Sequence, residues 1–216
     1  MKKRYKRLAV GMGIATVVAG SLLSYNLIFN KTSYTVSRVI DGDTFETVEK
    51  QRVRIDGIQA PEIGMCGAEK ATEALTKLAL NRKVFIKVRY LDEYRRMVAE
   101  VYDQNGKLVA EELASDGVAI VRQKGEPNDN LLAAGNKARE KGIGLYGLPC
   151  TQETNLQKPD CTIKGNMRLG TDDKFYHRPD CRNYKLTKVQ LYLGDEWFCT
   201  EEEAQRAGFK KGEDCN

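Results

Sequence analysis

The sequence predicts an α+β protein: a β-barrel with helices, specifically a five-stranded OB-fold with three helices, followed by a small Cys-rich C-terminal domain. Two observations lead to this class. Between residues 34 and 148, five short segments rich in β-branched and aromatic residues alternate with helical patterns, and a helix follows the third strand. That arrangement is typical of a small Greek-key barrel of the OB type. Beyond residue 160 the composition changes, and four of the six cysteines lie there.

The strands of the barrel are predicted at residues 34–40, 44–48, 51–58, 84–90 and 97–102. An Asn-Gly pair at 105–106 predicts a hairpin whose second arm is residues 107–109. Helices are predicted at 68–80, 110–116 and 128–141 from the spacing of their apolar residues. Asn128 or Asp129 is suited to cap the third helix, and Gly142 follows its end.

Residues 1–33 predict a basic N-terminal region followed by a membrane segment. Residues 8–29 contain no charged side chain, and a helix of that length can cross a bilayer core of ~30 Å. A retained signal anchor is favoured over a signal peptide cleaved after Ala19, because the apolar run continues past that site. Since the basic cluster should stay in the cytoplasm, we expect the body to be membrane-anchored outside the cytoplasm, or secreted if cleavage occurs.

The net charge argues against general attraction to polyanions. The formal charge is +5, and five Lys and Arg residues lie within the first seven positions, so the remainder of the chain is neutral. Binding of a nucleic acid must therefore depend on where individual charges are placed.

Residues 39–62 concentrate the chemically informative side chains. Two short predicted strands bring Asp41, Asp43, Arg54 and Glu62 into one neighbourhood. Acidic oxygens beside a strand arginine suit a divalent cation next to a phosphate. The alternative is a turn with solvated aspartates and a surface ion pair, which these residues alone do not exclude.

Several motifs resemble the staphylococcal-type thermonuclease family. They are VIDGDTF, RVRIDGIQAPE, DEYRRMVAEVY and NGKLVAEELASDG, in this order, over about residues 34–148. The resemblance implies an OB-fold nuclease that cleaves phosphodiesters of DNA and RNA with Ca²⁺ as cofactor. It implies catalytic roles for Arg54, Glu62 and Arg96. The two arginines match the pair that binds the phosphate and its transition state, and Glu62 matches the glutamate that positions or deprotonates the attacking water.

The resemblance also implies a metal site and a nucleic-acid contact. Asp43 matches the carboxylate ligand of Ca²⁺, and Ala60 occupies the position of a ligand that binds through its backbone carbonyl. Gln59 stands where the family usually has a second Asp, so we expect weaker calcium binding. Tyr94 matches a tyrosine near the nucleotide phosphate. The paired tyrosines that stack a base in well-known members fall at Gln123 and Gly125.

The cysteines favour disulfides, because the chain is predicted to be exported and their number is even. The family resemblance suggests a bond between Cys66 and Cys150. After a polar linker at residues 151–160, residues 161–216 resemble small Cys-rich modules of secreted bacterial proteins and, faintly, a zinc-binding repair domain. Two disulfides are favoured over zinc there, with all three pairings open. The candidates are Cys161, Cys181, Cys199 and Cys215. His177 is expected to be structural.

These observations favour an extracytoplasmic Ca²⁺-dependent nuclease that hydrolyses DNA, RNA or both. A rival hypothesis is a catalytically weak or inactive OB-fold module that binds nucleic acid or protein at the envelope, which Gln59 favours. A third makes the Cys-rich module a surface adhesive. The expected partners are the nucleic-acid substrate and, through the N-terminal segment, a membrane; no protein partner can be inferred.

Overall fold

A computed structural model describes residues 32–123, 127–168 and 170–215 of the 216-residue chain. The predicted membrane segment lies outside the described residues, as does Gly125. Among the helices that are described, none has both the length and the apolar character needed to cross a bilayer.

Five strands close into the predicted barrel, in the order β1-β2-β3-β6-β5. The strands up to the second helix are β1 (Thr32–Val39), β2 (Thr44–Thr47), β3 (Arg52–Ile55), β4 (Ile58–Gln59), β5 (Lys83–Leu91) and β6 (Met97–Tyr102). Strands β3 and β6 are parallel, and the other neighbours in the barrel are antiparallel. The OB-type barrel predicted from the strand pattern is confirmed. The predicted hairpin arm at 107–109 is reduced to a single bridge between Tyr102 and Leu108, because the next helix begins at Val109.

Three helices pack around the barrel, as predicted: α1 (Ala68–Ala79), α2 (Val109–Ser115) and α3 (Asp129–Glu140). Helix α1 buries a face that includes Ala71 and Leu75. Helix α3 is capped by the Asn128 side chain, which accepts a hydrogen bond from the Leu131 N–H. The short strand β7 (Ile120–Val121) precedes α3 and pairs with β4.

The core of the barrel explains the direction of the site residues. Val53 and Ile55 are fully buried, and side chains alternate along a strand, so Arg54 between them points to the outer face. Val36, Phe45 and Ile86 are 1% exposed or less and belong to the same cluster. Burying each such side chain stabilises the fold by ~1.5–3 kcal/mol, which holds β3 rigidly beneath the arginine.

The C-terminal region, residues 151–215, forms small sheets held by disulfides. Its elements are β8 (Thr151–Gln152), β9 (Ile163–Met167), β10 (Lys174–His177), β11 (Val189–Gln190), β12 (Glu196–Phe198), α4 (Glu201–Arg206) and β13 (Lys210–Lys211). The larger sheet has the order β12-β9-β10-β13, and β8 pairs with β11. The segment at 151–160, predicted to be a linker, therefore begins with strand β8, which pairs with β11 of the C-terminal region.

All six cysteines are paired, which confirms the predicted disulfides. The bonds join Cys66 to Cys150, Cys161 to Cys199 and Cys181 to Cys215, so the structure selects one of the three pairings that the sequence left open. His177 lies beside the last of these bonds, with Nδ1 2.9 Å from a carboxylate oxygen of Asp214. The side chain of His177 is largely buried there, in keeping with a structural role.

The C-terminal region packs directly against the barrel. Tyr192 is buried in an apolar cluster with Ile120, Leu145 and Cys150. Its ring meets that of Tyr146 edge to face, with 6.2 Å between the centroids. In addition, the backbone N–H of Leu191 donates to the carbonyl of Cys150 at 2.9 Å. These contacts seat the segment around Tyr192 on β7, the strand that pairs with Gln59.

Candidate active site

The acidic turn between β1 and β2 places one carboxylate at the edge of the barrel. Asp41 accepts a hydrogen bond from the Asp43 N–H at 3.0 Å, which closes the turn. Gly42 is required between them, because a Cβ at this position would overlap the side chains of Ala60 and Ala71. The turn therefore lies tightly against α1, and Asp43 is directed inward towards β3 and β4.

Asp43 is buried and bound on both carboxylate oxygens. Oδ2 accepts from the Ala60 N–H at 2.9 Å and from Arg54 Nη2 at 3.3 Å, while Oδ1 accepts from Thr44 Oγ1 at 2.9 Å. Burial raises the pKa of Asp43, although the Arg54 charge and the Ala60 hydrogen bond act in the opposite direction. The carboxylate is thus held in a fixed position where its negative charge is incompletely compensated.

Arg54 is held by backbone as well as by charge. Its Nη1 donates to the Ile58 carbonyl at 3.3 Å, and its guanidinium remains a quarter exposed. Gln59, the next residue of β4, is half-buried and pairs with Ile120 of β7. Ala60 is buried and uses its N–H on Asp43. The structure therefore brings Ala60 and Arg54, the arginine predicted to be catalytic, into contact with the Asp43 carboxylate, with Gln59 next to Ala60 in the chain.

The turn between β5 and β6 positions the second arginine. The Asp92 carboxylate accepts from the N–H groups of Tyr94 and Arg96, at 3.0 and 2.8 Å, and from Arg96 Nε at 2.7 Å. Burial acts to raise the pKa of Asp92, but the hydrogen bonds and charge of Arg96 outweigh it and lower that pKa. The Arg96 guanidinium lies 5.3 Å from the ring centroid of Tyr94, whose side chain is 70% exposed.

Arg54, Gln59, Tyr94 and Arg96 line one open cleft of about 520 Å³. Glu62 lies in an adjoining cleft of about 150 Å³, which Gln59 and Ala60 also line. The Glu62 side chain is exposed to solvent, and its backbone carbonyl accepts from the Met65 N–H at 2.9 Å. The two predicted arginines thus share a cleft, and Glu62 is placed next to it, across Gln59.

Arg122 and Tyr90 are among the lining residues that the sequence did not predict. Arg122 follows β7 and borders both clefts; its N–H donates to the Gly57 carbonyl at 2.8 Å. Tyr90 is half exposed in the larger cleft. It pairs with Val98, which pairs in turn with Arg54, so the three form a row across three strands. Only this strand register, which the sequence pattern does not give, connects Tyr90 to the site.

The position of the expected base-stacking tyrosines has a different role here. Gln123 exchanges two hydrogen bonds with the Asn128 backbone, at 2.9 and 3.3 Å, and so fixes the approach to α3. Aromatic surface in the described part of the cleft is provided instead by Tyr90 and Tyr94, both beside Arg96 in the lining.

The donor set fits a hard divalent cation. Oxygen ligands are those that Ca²⁺ prefers, and the Asp43 carboxylate lies beside the segment that carries the Gln59 amide and the Ala60 carbonyl. The raised pKa of Asp43 reflects a buried negative charge, which a cation would stabilise. The fit is poorer in charge than an all-carboxylate site, because Gln59 is neutral.

The structure is a closed OB-type barrel with two arginines in a cleft beside a buried aspartate, and comparison with known proteins identifies its family. The profile of the family described as staphylococcal nuclease homologue matches residues 52–147. An uncharacterized endonuclease of Escherichia coli O157:H7 is 30% identical over 114 residues, which are 51% of this chain and 74% of that protein. The chain belongs to the staphylococcal nuclease family.

Two further relatives have the same level of identity. A micrococcal nuclease of Shigella flexneri is 30% identical over 135 residues, with 55% of this chain and 75% of that protein covered. A staphylococcal-like nuclease of Arabidopsis thaliana is 30% identical over 123 residues, which span 56% of this chain but only 36% of the plant protein. Membership therefore supports nuclease activity at the level of the family.

Proposed function

We propose that this protein is an extracytoplasmic Ca²⁺-dependent nuclease that hydrolyses phosphodiester bonds of DNA, RNA or both. The observation that carries the proposal is the shared cleft: Arg54 and Arg96 both line it, and Arg54 is bound to the buried Asp43 at 3.3 Å. This combination of two fixed cations beside a carboxylate suits a phosphodiester and a divalent ion together.

The two arginines would stabilise the charge that develops during hydrolysis. A phosphodiester gains negative charge on its equatorial oxygens as water attacks, and only groups that bind this charge more strongly than the ground state lower the barrier. The planar guanidinium offers paired donors for such oxygens. Arg54 is preorganised by Asp43 and the Ile58 carbonyl, and Arg96 by Asp92, so neither must be ordered at the moment of reaction.

Glu62 would orient the attacking water and take its proton. It is an exposed carboxylate whose cleft adjoins the cleft of the two arginines, which leaves room for a water between it and a bound phosphate. The proton would pass from this water to a Glu62 carboxylate oxygen as the new P–O bond forms and one ester P–O bond breaks. The leaving sugar oxygen would take up a proton from solvent. Ca²⁺ bound by Asp43, Gln59 and Ala60 would supply positive charge next to the phosphate.

Three disulfides support placement outside the cytoplasm, because such bonds persist in oxidising compartments. The predicted N-terminal segment supports the same placement, either as a retained anchor or as a cleaved signal. Extracellular calcium modules work with Kd values of about 10⁻⁴–10⁻³ M, so a weak site with one carboxylate would suit this environment.

The test is cleavage of DNA and RNA by the purified protein with calcium and with a chelator. We expect cleavage in calcium alone. Arg54→Ala, Arg96→Ala and Glu62→Gln should each lower turnover at least tenfold, since removal of one such donor typically costs ~10²–10³ in rate. Arg38→Ala is a matched control, because Arg38 is an exposed barrel arginine paired with Glu46 and lies outside both cleft linings.

The rival hypothesis of a non-catalytic binding module gives a different result. In that case the wild-type protein would bind nucleic acid or an envelope protein without cleaving nucleic acid in calcium. Full activity of a folded Arg96→Ala variant would likewise refute the proposed role of the arginine pair.

A further inference from the structure

The smaller cleft beside Glu62 is built from both parts of the chain. One wall is the segment at residues 59–62 together with Arg122, which follow β4 and β7. The opposite wall belongs to the C-terminal region and includes Met167, Arg168 and Tyr192. The C-terminal region therefore contributes directly to the surroundings of Glu62, although it lies outside the family match at residues 52–147.

The C-terminal wall is rigid. Asp195 is 4% exposed and ties it together: Oδ1 accepts from the Met167 N–H, and Oδ2 from the Gln190 N–H and Asn166 Nδ2, all at 2.8 Å. Tyr192 anchors the same region in the cluster that contains Ile120. Because Ile120 pairs with Gln59, the wall is fixed relative to the candidate metal site.

Arg168 follows the end of β9, and hydrogen bonds fix its backbone. Its N–H donates to the Asp173 carbonyl at 2.9 Å, and its carbonyl accepts from the Thr171 N–H at 3.2 Å. Its neighbour Met167 lies near Met65, because both side chains border Gly194. A Cβ added to this glycine would be 2.8 Å from Met167 Sδ and 3.5 Å from Met65 Cε. The two walls thus meet at their base, with the Arg168 side chain exposed above.

The charges of the cleft are unbalanced. Arg54 and Arg96 each have a carboxylate partner within 3.3 Å. By contrast, Arg122 and Arg168 are exposed and form no ion pair with any residue in the ranges 32–123, 127–168 and 170–215. Among the residues that the structure describes, Glu62 is the one acidic residue that lines the cleft. Two guanidinium groups without carboxylate partners in the described part of the chain suit an anionic ligand, and phosphate is the anion whose geometry they match best.

We propose that Arg122 and Arg168 form a second phosphate subsite, so that the C-terminal region is part of the surface that binds the nucleic-acid strand. Arg122 borders both clefts, and a strand whose scissile phosphate lies between Arg54 and Arg96 would continue past Arg122 to Arg168. Backbone contacts of this kind bind strands without reading their sequence. This inference rests on the proposed nuclease function and assigns part of its substrate binding to Arg168, which lies outside the family match at residues 52–147.

The experiment measures binding separately from cleavage. The full chain is prepared with Glu62→Gln and assayed in calcium by fluorescence anisotropy, with a labelled single-stranded DNA of 16 nucleotides and one of three. Adding Arg168→Ala should raise the Kd of the long strand about fivefold. It should also make the negative slope of log K against log salt less steep by about 0.7, the value for one phosphate contact with a single strand. The short strand, which cannot reach the subsite, should bind unchanged.

Two further variants separate charge from structure. Arg168→Lys should retain most of the salt dependence, because it keeps the positive charge. Arg206→Ala removes one exposed positive charge from α4 in the same region, outside both cleft linings, and should leave binding of both strands unchanged.

The outcomes distinguish this inference from the proposed function. An unchanged Kd and salt slope for Arg168→Ala would overturn the subsite, even if the wild-type protein cleaves DNA. Equal weakening of the short and long strands would also overturn it, because the arginine would then act on the cleft in general. Absence of cleavage by the wild-type protein would refute the nuclease proposal, while the salt slope would still decide whether Arg168 contacts phosphate.

Discussion

Asp43 is the residue on which the candidate metal site depends. Burial raises its pKa, so the metal-free protein retains a proton there up to a higher pH than an ordinary aspartate would. A calcium ion must compete with this proton. We therefore expect the calcium concentration for half-maximal activity to rise as the pH falls towards and through the raised pKa.

Gln59 offers the most direct test of how calcium affinity depends on the charge of the ligands. Gln59→Asp would add a second carboxylate to the donor set, and ligand charge is a main determinant of calcium affinity. We expect tighter calcium binding near neutral pH, measured both by calorimetry and by the calcium dependence of DNA cleavage. Gln104→Glu, which adds a carboxylate at an exposed position outside both linings of the arginine clefts, is the matched control. A calcium titration unchanged by Gln59→Asp would mean that Gln59 is not a ligand.

At the scale of elements, the turn between β5 and β6 is organised by one carboxylate. Asp92 accepts three hydrogen bonds from the turn, two of them from Arg96. Because its pKa is lowered, its stabilising contribution is present above the usual pKa of 3.8 and is lost as the pH falls through the lowered value. If activity is lost on acidification while the pH is still above 3.8, the loss should therefore come from protonation of groups other than Asp92.

Asp92→Ala tests whether this turn positions Arg96. Without its partner, the guanidinium can adopt other rotamers, so kcat should fall about tenfold or more while the KM for DNA changes less. Circular dichroism should show an intact fold. Asp103→Ala is a useful control, because Asp103 organises the next turn in the same way, through the N–H groups of Asn105 and Lys107, and lies outside both cleft linings. A normal kcat in Asp92→Ala would show that Arg96 needs no such support.

The elements also show what a sequence pattern can and cannot predict. Alternation and helical spacing predicted the barrel strands and α1 to α3, because these patterns arise from local burial on one face. The arm at 107–109 was predicted wrongly as a strand, since the hairpin signal was given more weight than the start of α2 at Val109. Tyr90 was missed because its place beside Arg54 depends on pairing between strands distant in sequence.

The whole molecule is organised by contacts that join its two parts. Family motifs predicted the residues that gather around Asp43, but nothing in the sequence indicated that Arg168 would form a wall beside Glu62. That arrangement depends on Tyr192 reaching the Ile120 cluster, a long-range packing event with no local signature. The disulfide pairing of the C-terminal region likewise depends on three-dimensional proximity, which spacing does not determine.

The Cys66–Cys150 bond closes the largest loop of the molecule, with a sequence separation of 84 residues. Cys66→Ser with Cys150→Ser should lower the free energy of unfolding by about 4–5 kcal/mol, according to the loop-entropy relation. Urea unfolding followed by circular dichroism measures this change. Cys161→Ser with Cys199→Ser, which opens a separation of 38 residues, should cost less. A smaller loss for the Cys66–Cys150 pair than for this second pair would contradict the loop-entropy explanation.

Trp197 is the single tryptophan of the chain, and its indole Nε1 donates to the buried Gln152 side chain at 2.8 Å, where β8 leaves the barrel. The chain thus carries its own optical label at the junction between its two parts. Indole emission reports on the C-terminal region alone, whereas far-ultraviolet circular dichroism reports on the barrel and its helices as well. Unfolding of the C-terminal region on heating can therefore be followed separately from that of the barrel in the unmodified protein, without attached dyes.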